Sequence, residues 1–204
     1  MKVGVLVSGT GTNLQALLDA ETTGRLEPAT LAVVISNKPG VQALARAGAA
    51  NVPAFVVEHA AVAREVFEDQ LHAVLAAHHV EAIVLAGFMR VLTPHFLDHY
   101  RDRIINTHPS LLPAFPGANA AAQAIAHGVK ISGVTIHFVD ASLDGGPIIE
   151  QVAVPVFDDD DAAALQARIQ SEEHKLLPDV VQRLARGELS CQGRKVRGPG
   201  RRAE

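Results

Sequence analysis

The chain has 204 residues, 48% of them apolar, and a formal charge of −4, enough apolar material for one domain with a full core. So small an acidic excess excludes a global field that recruits nucleic acid. The single cysteine, Cys191, excludes an internal disulfide and a cysteine-built metal cluster, and it fits a reducing compartment. The first apolar run is too short and too glycine-broken for a signal peptide or a membrane span, so a cytoplasmic protein with no membrane partner is expected. Residues 3–7, 31–35, 54–57 and 82–86 are short valine- and alanine-rich runs, and Ile104-Ile105 opens a fifth. Apolar on both faces, they predict buried parallel strands. Helical patterns at 14–20, 41–50 and 62–77 separate them, and Thr93-Pro94 supplies an N-cap and a first-turn proline for the next helix. Beyond residue 117 the rhythm changes. An alanine-rich helix at 118–127 precedes two strands, 133–139 and 148–156, whose connection is too short for a crossover helix and predicts antiparallel pairing. A long amphipathic helix at 161–185 comes next. The pattern predicts a doubly wound, mostly parallel, Rossmann-like α/β sheet with antiparallel strands near the C-terminal half. One domain is expected over 1–187, then a basic tail over 188–204 with a frayed end.

The loop after the first strand reads VSGTGTNLQ. Gly9 and Gly11 let the backbone turn sharply and approach a ligand, and Thr12 and Asn13 bring a hydroxyl and an amide to a helix start. Free N–H groups and the positive helix end make an anion site there. A dinucleotide fingerprint needs a third glycine where Leu14 stands, and no Gly-Lys-Ser/Thr is present after it, so a single phosphate is the expected guest. The alternative is a tight turn with a helix cap and nothing more.

INTHPSLLPAFPG, at 104–116, leaves the fifth strand. Ligands of parallel sheets sit outside the carboxyl ends of the strands. In an extended segment Asn106 and His108 point to one side, while Pro109, Pro113 and Pro116 stiffen the loop beyond the strand. A rigid loop holding an amide donor and a titratable ring is what a preorganised site requires. The DASLDGG turn at 140–146 supplies Asp140 and Asp144. A carboxylate beside His108 favours the imidazolium, which with the Asn106 amide stabilises an oxyanion at a carbonyl carbon. The competing readings are a packed histidine and an ordinary hairpin turn. His95 and His99 share the i, i+4 spacing of zinc sites but lack further ligands in motif form, so a surface helix is expected and no metal. Asp158 to Asp161 read as a solvated helix cap.

Together VSGTGTNLQ, LAGFMRVL, INTHPSLLPAFPG and DGGPII resemble the phosphoribosylglycinamide formyltransferase family, in its motif order and spacing, from Val3 to about Ala185. The resemblance implies the formyltransferase variant of the Rossmann-like fold. It implies transfer of a formyl group from 10-formyltetrahydrofolate to the amine of 5-phosphoribosylglycinamide in purine synthesis, with no metal. Asn106 and protonated His108 would hold the oxyanion, His108 would act as general acid, and Asp144 would keep the ring charged and help remove the amine proton through water. Gly11, Thr12 and Asn13 match phosphate-binding positions. Gln170 and Glu173 match the grip on the ribose and glycinamide end. Met89, Arg90, Val91 and Leu92 match a strip that recognises the folate ring, and Asp140, Ala141, Ser142, Leu143 and Asp144 match the opposite wall. Arg64 matches a folate-contacting arginine; its alternative is a helix-surface pair with Glu68 at i+4. One departure stands out: where the family often carries a histidine after the proline loop, this chain has Asn119 and Ala121. Small-molecule substrates and a monomer or weak homodimer are expected. A tRNA formyltransferase or a formyltetrahydrofolate hydrolase would need a further domain. A nicotinamide oxidoreductase would need an acid where Asn37 and Lys38 end the second strand.

Overall fold

A computed structural model describes residues 1–60 and 62–198. Among the described residues nine strands form one sheet: β1 (Lys2–Val7), β2 (Thr30–Ser36), β3 (Ala54–Val56), β4 (Ala82–Leu85), β5 (Ile104–His108), β6 (Ile131–Phe138), β7 (Ile148–Pro155), β8 (Ser190–Gln192) and β9 (Lys195–Arg197). The described helices that connect or cover them are α1 (Thr12–Thr22), α2 (Gln42–Ala49), α3 (Arg64–Ala77), α4 (Pro94–Asp98), α5 (Ala120–Ala126) and α6 (Ala162–Ala185). The strand order is β3-β2-β1-β4-β5-β6-β7-β9-β8. Strands β3, β2, β1, β4 and β5 run parallel, and β6 and β7 are antiparallel, the mixed sheet expected from the sequence. No described helix is long and apolar enough to cross a membrane.

The valine-rich strands are buried on both faces because two helical layers claim alternate side chains. Val3, Val5 and Val7 of β1 join one core with Leu14 and Leu17 of α1 and Ile169 and Leu177 of α6, while Leu6 joins the other with Phe67, Leu71 and Phe96 from α3 and α4. Each such large side chain gains roughly 1.5–3 kcal/mol on burial. Thr93 and Asp161 cap α4 and α6, accepting from Phe96 N and Ala164 N.

Three expectations fail in their details. The 54–57 run is not a buried strand: β3 is an edge strand, with Phe55 40% and Val56 41% exposed. The segment read as a basic tail carries the β8–β9 hairpin, which extends the sheet through Ile148 and Lys195; the frayed end lies outside the described residues. The acids before α6 are not simply solvated, because Asp160 is held by both terminal nitrogens of Arg168, at 2.6 and 2.8 Å.

The order of the parallel strands reverses between β1 and β4, so the crevice at their carboxyl ends is the place for ligands. Ser8 to Gly11 leave β1 there, 86–92 leave β4, and 109–117 leave β5.

Candidate active site

Two polar alternations meet on neighbouring strands. Asn106 and His108 of β5 lie directly across from His137 and Thr135 of β6. All four take the sheet face that Ile104 shares with α3 and α4, while Ile105, Val134 and Ile136 pack on the other. Past β5 that face is covered not by a helix but by the proline loop and the β6–β7 turn.

Thr135 anchors the proline loop. Its hydroxyl donates to Ser110 O at 2.7 Å and accepts from Leu112 N at 3.0 Å and from Gln151 Nε2 at 2.9 Å, while Gln151 also donates to Leu112 O. The loop returns Phe115 O to within 2.8 Å of His108 Nε2. His108 Nδ1 lies 3.4 Å from Asp144 Oδ2, and both side chains are nearly buried. Each ring nitrogen therefore faces an oxygen acceptor, an arrangement that a ring bearing two N–H groups satisfies.

Asp144 reaches this position from a backbone at φ 50°, an unfavourable region for a non-glycine residue and a common one at functional sites. Gly117 N donates to its Oδ2 at 2.7 Å and so locks the proline loop to the β6–β7 turn. The glycines behind it are required by space: a Cβ on Gly146 would sit 1.8 Å from Phe138 O.

Residue type alone does not single out His137, though the Thr-x-His alternation in a buried strand is its signal. It is 2% exposed. Its Nδ1 donates to Phe138 O at 2.9 Å, which leaves Nε2 to accept from Asn106 Nδ2 at 3.2 Å. Burial pushes its pKa below the ordinary histidine value, so the ring is a neutral acceptor. It fixes the Asn106 amide, whose second N–H remains for a ligand.

The glycine loop expected to take a phosphate lies beside this set. Gly11 caps α1 at φ 73°, and a Cβ there would come 2.7 Å from Ala43 Cβ, so α2 packs against the loop and only glycine fits. The amides of the first turn, Thr12 and Asn13 among them, have no partner within the helix. Asn13 Nδ2 donates to Glu173 Oε2 at 3.1 Å, and Thr107 Oγ donates to Glu173 Oε1 at 3.2 Å. Glu173 thus joins the loop to β5, and burial raises its pKa. Asn13 Oδ1 is buried and unpartnered.

Asn106, His108 and Asp144 are brought together, and Gly11, Asn13 and Glu173 form the adjoining corner. Among the described residues no hydrogen bond links Arg64, Arg90 or Gln170 to either group. Arg64 does not pair with Glu68, whose oxygens both bind Thr93. Met89 and Leu143 are both largely exposed. Asn119 starts α5 at φ 60°, and Ala121 is buried in the core. His95 pairs with Asp69, and His72 stacks on His99; no described cluster has the makings of a metal site.

The profile of the formyl transferase family matches residues 1–181. The chain is 47% identical over 188 residues to a trifunctional purine biosynthetic protein, adenosine-3, of Drosophila melanogaster, and that match takes in 91% of this chain but only 14% of the fly protein. It is 40% identical over 190 residues to the phosphoribosylglycinamide formyltransferase of Escherichia coli, covering 93% of this chain and 89% of that one. A solved structure of glycinamide ribonucleotide transformylase 1 from Symbiobacterium toebii superposes with a TM-score of 0.95 at 46% identity, over 97% and 93% of the two chains.

Proposed function

We propose, since this chain belongs to the formyl transferase family and sits among its phosphoribosylglycinamide formyltransferases, that it moves a formyl group from 10-formyltetrahydrofolate to the amine of 5-phosphoribosylglycinamide, a step of purine synthesis. The observation that carries the chemistry is the convergence of Asn106, His108 and Asp144, with the imidazole 3.4 Å from the carboxylate.

The ribotide phosphate docks on the amides of Gly11, Thr12 and Asn13. Glu173, at the join of that loop and β5, and Gln170 on the same helix take the ribose and glycinamide. The folate lies between Met89, Arg90, Val91 and Leu92 on one side and Asp140, Ala141, Ser142, Leu143 and Asp144 on the other, with Arg64 toward its acidic end.

The glycinamide nitrogen attacks the formyl carbon and forms the new C–N bond. The formyl oxygen takes the electron pair and is held by the free Asn106 N–H and stabilised by the charge of the protonated His108 ring. Asp144 receives the amine proton through water. As the tetrahedral carbon collapses, its bond to folate N10 breaks, and His108 gives that nitrogen a proton. The products are the N-formyl ribotide and tetrahydrofolate. The working form we propose is a monomer or a weak homodimer. We place the reaction in the cytoplasm.

The test monitors folate product release with a dideaza analogue of the donor, with and without the ribotide. Release that requires the ribotide, with the formyl group recovered on it, is the expected outcome. Release to water at the same rate without the ribotide contradicts the reading.

A further inference from the structure

We infer that Ser8 and Glu68 are positioning residues for the folate: two buried side chains that suspend the 89–92 strip from its ends and leave the peptide groups between them to the ring. This rests on the reading of that strip as the folate site.

The strip is neither helix nor strand, and Met89 and Val91 are 70% and 47% exposed. Nothing in regular structure fixes its peptides. Its first amide is fixed instead by Ser8, 7% exposed at the end of β1, whose hydroxyl accepts from Met89 N at 2.9 Å and donates to Asn37 Oδ1 at 2.6 Å. Asn37 is itself buried, with the His59 ring 3.3 Å from its amide nitrogen and 3.2 Å from its carbonyl oxygen. The Ser8–Met89 bond crosses from β1 to β4, the point at which the strand order reverses.

The far end is fixed by Glu68. This carboxyl group is 1% exposed on α3. Its Oε1 accepts from Thr93 N at 2.8 Å, and the Thr93 hydroxyl donates to Oε2. Thr93 also caps α4, so the strip cannot slide without unwinding that helix. An apolar side chain would fill the site beneath α4 at less desolvation cost. What the acid adds is a defined place for the peptide that comes after Leu92. Because Ser8 also heads the loop to the phosphate corner, one hydroxyl sets the folate strip relative to the ribotide.

The experiment measures, for the full chain, the Kd of a dideaza folate analogue and the KM of the ribotide in Ser8→Ala, Thr93→Val, Glu68→Gln and Glu68→Leu. Ser8→Ala and Thr93→Val are expected to weaken the analogue about five- to tenfold, the worth of one buried hydrogen bond, with the ribotide KM within about twofold of wild type. Glu68→Gln keeps an acceptor for Thr93 N, and it is expected to restore most of what Glu68→Leu loses. Unchanged analogue binding in Ser8→Ala and Thr93→Val overturns the inference, and so does an equal loss for both ligands, which marks general loosening. A wild-type chain that binds the ribotide but no folate analogue overturns the reading of the strip itself, and the two failures are told apart by that control.

Discussion

Replacing His137 with phenylalanine tests how much catalysis depends on a side chain that touches neither substrate. The phenyl ring keeps the buried volume but removes the acceptor 3.2 Å from Asn106 Nδ2 and the donor to Phe138 O. The loss on the Asn106 side is one oriented hydrogen bond, about 1–1.5 kcal/mol, so kcat should fall about five- to fifteenfold. Asn106→Ala, which removes the oxyanion donor itself, should cost about 10²–10³. If His137 acts only through Asn106, the double variant should be no slower than Asn106→Ala alone. The pH profile adds a second check. Burial lowers the folded pKa of His137, so the fold favours the neutral ring; its contribution to stability is complete above the ordinary value of 6.5 and is lost as pH falls through the lowered one. Protonation also removes the acceptor for Asn106 and places an N–H 4.0 Å from Asp144 Oδ1, in competition with His108. One acid-side ionisation of kcat/KM should therefore vanish in His137→Phe. Steady-state kinetics of the two singles and the double across pH makes the measurement; fully additive losses in kcat, or an unaltered acid limb, would rule out a role exerted through Asn106.

Gly11→Ala should raise the ribotide KM and lower Tm, with folate binding retained, because it adds a strained positive φ and a 2.7 Å approach to Ala43; an unchanged Tm contradicts it. Glu173→Gln should weaken the ribotide while stabilising the fold at neutral pH. Burial raises the Glu173 pKa, so this group's contribution is greatest below its ordinary 4.5 and declines as pH rises through the folded value; thermal melts at several pH values read the difference. Asp160→Asn should flatten acid unfolding. Arg168 holds the Asp160 pKa down to about 2 from 3.8, so the pair's contribution is present above 3.8 and lost as pH falls toward 2, and melts between those limits should converge for variant and wild type.

The sheet was legible because burial on both faces leaves valine-rich runs, and because a connection as short as 140–147 admits only an antiparallel return. Residues 54–57 misled for the same reason: a few apolar residues in a row do not say whether a second helical layer will cover them. The β8–β9 hairpin was hidden by its exposed basic side chains, since pairing at an edge uses backbone groups that every residue carries. In the site, Asn106, His108 and Asp144 announced themselves by residue type next to prolines and glycines. His137 did not, because its role depends on register across two strands, and the register places it opposite Asn106. Glu68 looked like an i+4 partner for Arg64; its actual partner, Thr93, is 25 residues away and meets it only through packing of α4 on α3.

The mechanism stands on His108 supplying a proton and a hydrogen bond at the reacting carbon while Asp144 serves it. The rate of formyl transfer in a single turnover, with both substrates saturating, tests this in His108→Ala. A fall of about 10²–10³ or more, with folate and ribotide affinities near wild type, is expected. A transfer step as fast as that of the unaltered chain would remove His108 from the chemistry.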